Sequence, residues 1–116
     1  MKRSLIQEKS FDFALRVIDL YKILIAEDEY VIARQLLKSG TSIGANVWEA
    51  TMAQSRRDFI HKMSIASKEA KETLFWLELL KESQLVEGDY GQYLEDANAI
   101  SKILVSIVKT SQERTL

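Results

Sequence analysis

Apolar residues recur every three to four positions along almost the whole chain, with polar residues filling the gaps at the same spacing. That is the period of an α-helix and not of a strand. Four amphipathic segments follow. The first runs from about Ser10, as its N-cap, to about Ala26. The acidic "EDE" at 27–29 makes a short connection, in which Asp28 is placed to cap the next helix. The second runs from about Glu29 to Met52. After "AQS", Ser55 and Asp58 stand in the S-x-x-D spacing related to a capping box, and a third helix is expected from about Arg56 to Ser83. "VEGDYG" at 86–91 is the clearest break, with Gly88 and Gly91 expected to supply turn conformations and Asp89 a cap. The fourth helix runs to about Ser111, and the last few residues are expected to fray. Short connections set successive helices antiparallel. The prediction is one all-α domain over 1–116, an up-down-up-down four-helix bundle.

The helix faces sharpen this picture. On the second helix Ala33, Leu36, Leu37, Gly40, Ile43, Gly44 and Val47 share one side, while Arg34, Lys38, Ser42, Ala45 and Glu49 fall opposite. Gly40 and Gly44 therefore lie in the middle of an apolar face. Glycine costs about 1 kcal/mol against alanine inside a helix, so two of them need a reason. A phosphate loop would set its glycines after a strand with Lys just beyond, and here Lys38 precedes them. The expectation is a close-packing seam. Helix three puts Phe59, Met63, Ala66, Ala70, Thr73, Leu77 and Leu80 on its core stripe, and small Ala66 and Ala70 are suited to lie opposite the glycines. Helix one is broadly apolar, with Phe11, Ala14, Val17, Ile18, Tyr21 and Ile25 at core spacing and Phe13 and Leu20 on the flank. Helix four offers Tyr93, Leu94, Ala97, Ile100, Leu104 and Val108.

Helix three carries more than one bundle needs. Ile65, Phe75, Trp76 and Leu79 form a second apolar surface turned away from the stripe, read as an oligomer interface, with thick packing inside one bundle as the alternative. Lys62 and Glu69 project near the edge of the stripe, where their charges call for partners if partly buried. Other acidic residues follow helical charge pairing, as in Lys68 with Glu72.

Composition narrows the chemistry. There is no Cys and no Pro, so disulfides, thiolate metal sites and a Cys nucleophile are ruled out. No apolar stretch is long enough to span a bilayer, and the opening "MKRSLIQEKSF" lacks the apolar run of a signal peptide. A soluble cytoplasmic protein without membrane contact is expected. With 16 Lys plus Arg against 17 Asp plus Glu, net charge is −1, and nucleic-acid binding would need a local patch. The best candidate is Arg34, Lys38, Arg56 and Arg57, extended by Lys62 and Lys68; a solvated face is the alternative. The lone His61, three residues after Asp58, is one imperfect half of a di-metal motif and points away from the core stripe. Ser55, Asp58 and His61 fall within one helical start, where the first two already have capping work. No catalytic residue, metal site, cofactor or small-molecule substrate is expected.

"SGTSIGANVWEA" at 39–50, then "QSRRDFIHKMSIASKEAKETLFWLELL" at 54–80, closely resembles the four-helix-bundle proteins first noted as encoded in intervening sequences of bacterial 23S ribosomal RNA genes, also called S23 ribosomal proteins. "KSFDFALRVIDLYK" at 9–22 looks like the same family's opening. The resemblance implies an antiparallel bundle assembling as a homopentamer. It also implies kinship with the accessory variability determinant of diversity-generating retroelements, a pentameric bundle that binds nucleic acid and a reverse transcriptase. The resulting expectation is a non-enzymatic homo-oligomer whose repeated basic patch contacts RNA or a nucleoprotein. A protein-only scaffold or accessory subunit is the alternative.

Overall fold

The computed structural model describes residues 3–114, and among these the fold is all-α. Four helices follow in order: α1 (Leu5–Ala26), α2 (Val31–Ala50), α3 (Arg56–Ser83) and α4 (Gly91–Glu113). Each helix packs on the next and α4 returns to α1, so the four enclose one core in a ring. Leu24, Leu36, Ile43, Leu77, Leu80 and Leu104 are its largest fully buried apolar side chains.

Helix starts follow the hydrogen-bonding needs of the free backbone N–H groups. α1 begins five residues ahead of the expected Ser10. Ser4 accepts from the Gln7 backbone N–H at 3.3 Å, and the Ser4 N–H donates to Gln7 Oε1 at 2.9 Å, a complete capping box. Ser10 is instead buried inside the helix. Asp28 does not cap α2: its φ of 63° puts it in the left-handed turn, and Glu29 Oε1 accepts from the Ile32 N–H at 2.8 Å. α3 starts as predicted, with Ser55 Oγ accepting from the Asp58 N–H at 3.1 Å. At its far end the left-handed residue is Gln84, at φ 50°, and no glycine takes a positive φ among the described residues. Gly88 and Gly91 therefore do not supply the predicted turn conformation. The Gln84 side chain holds the loop by bonding Lys81 O and both backbone groups of Gly88. Asp89 Oδ1 accepts from the Gly91 N–H at 2.9 Å, and the buried Tyr90 hydroxyl donates to Val86 O at 2.6 Å. α4 runs two residues past the expected Ser111, to Glu113, and Thr115 and Leu116, within the stretch expected to fray, lie outside the described residues.

The core faces of α2, α3 and α4 agree with the periodicity, with Leu37, Phe59, Tyr93 and Val108 partly buried against the core and the remaining predicted positions buried. α1 is rotated. Ile6, Ser10, Phe13, Val17, Leu20 and Leu24 point inward, while Phe11 and Ile18 are exposed. Apolar residues cover more than half of the circumference of α1, so periodicity alone does not choose which side is buried. The side it leaves out lines a surface groove.

The glycine seam joins α2 to α1. A Cβ on Gly40 would stand 2.8 Å from both γ-carbons of Val17, and one on Gly44 would stand 3.3 Å from the backbone oxygen of Ser10. These are the nearest atoms at both sites, so the expected match to Ala66 and Ala70 of α3 is corrected: the glycines admit α1. Ala66 and Ala70 are fully buried. α2 meets α3 through a buried polar link, in which the Thr73 hydroxyl lies 2.9 Å from Ser39 Oγ and also bonds Glu69 O.

Candidate interaction surfaces

Two kinds of surface residue stand out, basic side chains and exposed apolar ones, and the helices distribute them differently. Arg34 and Lys38 are exposed one turn apart on α2, and Lys68 is exposed on α3. Lys38 and Lys68 both bear on Glu69, whose pKa is raised by burial and then by Glu72, with the two lysines partly offsetting it. These three cations thus share the α2–α3 flank. Arg56 and Arg57 are exposed at the first turn of α3, twelve and eleven residues before Lys68, or roughly 17 Å along the axis. Lys62 is not free for a ligand, because its Nζ is bonded to Glu49 Oε1 at 2.9 Å, which raises its pKa. The six residues therefore form two clusters with a paired lysine between them, not one patch.

Arg56 has a companion that the sequence pattern missed. Together with Arg114 at the end of α4 it lines an open cleft of about 410 Å³, floored by Ala50, Ala53 and Phe59. Only the return of α4 to the α2–α3 turn brings these arginines together, and spacing along the chain carries no signal of it.

Of the four residues expected to form a second apolar surface on α3, Phe75 and Leu79 are exposed. Phe75 is 57% exposed and Leu79 39% exposed, one turn apart, while Trp76 beside them is partly buried against the core and Ile65, ten residues before Phe75, is partly buried. Phe75 and Trp76 meet edge to face with ring centroids 5.0 Å apart. The Trp76 indole N–H donates to Glu72 Oε2 at 3.1 Å, so that carboxylate serves the ring where pairing with Lys68 was expected.

A second apolar feature was not anticipated. Between α1 and α2 lies a groove of about 300 Å³ lined by Phe11, Ala14, Thr41, Gly44, Ala45 and Trp48. The Phe11 and Trp48 rings meet at a tilt of 36° with centroids 5.9 Å apart, and the Arg3 guanidinium lies over both, 5.3 and 4.8 Å from their centroids. Its signal was present as the surplus apolar side of α1.

The α1–α4 side is polar by contrast. Arg16 pairs with Asp96 and lies over the Tyr93 ring, in a cleft of about 170 Å³ that also takes in Lys9 and Asp12. Ser55 and Asp58 are committed to the start of α3. Ser55 caps the helix, Asp58 Oδ2 accepts from the Gln54 N–H, and His61 is exposed one turn on. Among the described residues no group of His, Asp or Glu is arranged to hold a metal ion, and no helix is long and apolar enough to cross a membrane.

Comparison with known proteins gives a consistent answer. The family described as 23S rRNA-intervening sequence protein matches residues 2–106. The chain is also similar to a crystal structure of a protein with unknown function from the S23 ribosomal protein family of Bacteroides thetaiotaomicron VPI-5482. The two are 48% identical with a TM-score of 0.86, over 90% of this chain and 99% of that one. No curated protein matches.

Proposed function

The chain belongs to the family of 23S rRNA-intervening sequence proteins, and from that premise we propose that it is a non-enzymatic cytoplasmic subunit of a homopentamer whose repeated basic residues contact RNA or a nucleoprotein. The antiparallel up-and-down order is part of this reading. It is supported by paired contacts whose numbers run in opposite senses: Ser10 with Gly44 and Val17 with Gly40, then Ser39 with Thr73 and Glu49 with Lys62.

The observation that carries the assembly is the exposed Phe75 and Leu79 beside Trp76. Isolated apolar side chains are ordinary on a protein surface, but a contiguous aromatic group is what association covers. Repetition then serves the cations. Each copy presents Arg34, Lys38 and Lys68 on one flank and Arg56 and Arg57 at one end. Five copies would offer these as an array, and linked weak phosphate contacts gain by avidity. The non-enzymatic reading is supported by the commitment of Ser55 and Asp58 to capping.

One observation favours the second reading, a protein-only scaffold: the basic residues fall in two clusters, with Lys62 between them already paired. Titrating the assembled protein with labelled structured RNA at two salt concentrations separates the readings. Binding that weakens as salt rises, and weakens further in an Arg56→Ala, Arg57→Ala double variant, is the expected result. No binding at low salt, or binding indifferent to that variant, favours the scaffold.

A further inference from the structure

We infer that the cleft between the α2–α3 turn and the end of α4 is a site for a phosphate monoester at the end of an RNA strand, held by Arg56 and Arg114. This rests on the RNA reading above and names one contact that would carry it.

Three parts of the chain build the cleft. Arg56 comes from the first turn of α3, Arg114 from the residue that ends α4, and Ala50 and Ala53 from the end of α2 and the turn after it. The space is about 410 Å³, inside the range of about 300–1,000 Å³ that small-ligand sites occupy. Ser55 also lines it. Its Oγ accepts from the Asp58 N–H at 3.1 Å and keeps its own proton to donate.

The charge lining the cleft has one sign. Two guanidiniums line it and no carboxylate does. Of the acids nearest along the chain, Glu49 is bonded to Lys62, Asp58 Oδ2 accepts from the Gln54 N–H, and Glu113 lies outside the lining. Neither arginine forms an ion pair or lies over a ring among the described residues. Arg56 also stands at the positive end of the α3 dipole, where a cation is unfavourable. An anion in the cleft would offset that cost.

A terminal phosphate matches this lining. Guanidinium forks bind phosphate oxygens through paired N–H donors. A monoester carries close to two negative charges at pH 7, whereas a diester within the strand carries one. Two cations with no carboxylate beside them suit the former. Phe59, Ala50 and Ala53 form an apolar floor, on which the terminal sugar or base can rest. Lys68 stands twelve residues along α3 from Arg56 and shares its flank with Lys38, so those lysines are left to the strand beyond its end.

The test titrates the purified protein, at fixed salt, with one internally labelled single-stranded RNA in three forms: hydroxyls at both ends, a 5′-phosphate, or a 3′-phosphate. At least one phosphorylated form is expected to bind about tenfold more tightly than the hydroxyl-ended RNA. Arg56→Gln and Arg114→Gln should each erase that preference with helical circular dichroism unchanged, since both side chains are exposed. Lys38→Gln should weaken all three RNAs alike and leave the preference intact. Equal, salt-sensitive binding of the three RNAs would overturn the proposal and leave the RNA reading standing. So would a preference that survives both arginine variants. Binding of none of them, even at low salt, would remove both.

Discussion

α1 is held on its two sides by different physics. Towards α2 the contact is close: Gly40 has no room for a Cβ against Val17, and a Cβ on Gly44 would press tightly on the Ser10 backbone oxygen. Towards α4 it is thinner and polar, with Arg16 reaching Asp96 across a cleft. An excluded-volume contact tolerates no addition, whereas an ion pair near the surface is screened and replaceable. The α1–α2 side should therefore dominate stability. The two glycines trade helix propensity for that closeness.

Enlarging the seam is expected to have the largest effect. Gly40→Leu and Gly44→Leu should each cost about 3 kcal/mol or more, or prevent folding, read by urea unfolding at one fixed protein concentration. The milder Gly40→Ala should still cost about 1 kcal/mol despite the better helix propensity of alanine, because the β-branched Val17 cannot swing its γ-carbons aside. Val17→Ala should make that added methyl less costly, so the double variant should be more stable than the two losses summed. A stabilised Gly40→Ala would break the contrast between the two sides.

On the opposite side, Arg16→Ala should cost about 1 kcal/mol, the sum of a partly exposed ion pair and a cation–π contact with Tyr93. That loss should shrink in high salt while the glycine losses do not.

The smallest effect belongs to Glu69 on the α2–α3 flank. Its pKa is raised chiefly by burial, so the folded state holds its proton to higher pH than the unfolded chain does. Stability should fall as pH rises from the ordinary Glu value of 4.5 through the raised folded value. Glu69→Gln should remove that slope and gain a few tenths of a kcal/mol at pH 7 and nothing at pH 4. Equal effects at both values would mean that burial of the charge is not the cause.

How much was legible follows the same division. The limits of α3 could be read because Ser55 offers a cap next to the first periodic residue. The seam could be read as a seam, since two glycines mid-face admit few other uses. Its partner could not: which helix fills the gap is decided by tertiary packing, and Ala66 and Ala70 were the wrong guess. The register of α1 was hidden because its outer side is nearly as apolar as its inner side, and that surplus is the groove. Gln84 and Asp28 in left-handed turns went unseen because neither is glycine. The basic residues were legible one by one, but their division into two clusters depends on where α2 and α3 place them and on Glu49 taking Lys62.

The central claim is that the apolar surface that α3 keeps outside the core is covered by further copies of the chain. Light scattering on the purified protein at micromolar concentration tests it most directly. The account predicts a particle of about five times the 13.3 kDa chain mass, falling towards one chain in a Leu79→Glu variant whose helical circular dichroism is unchanged. A monodisperse 13.3 kDa particle across that concentration range would contradict it.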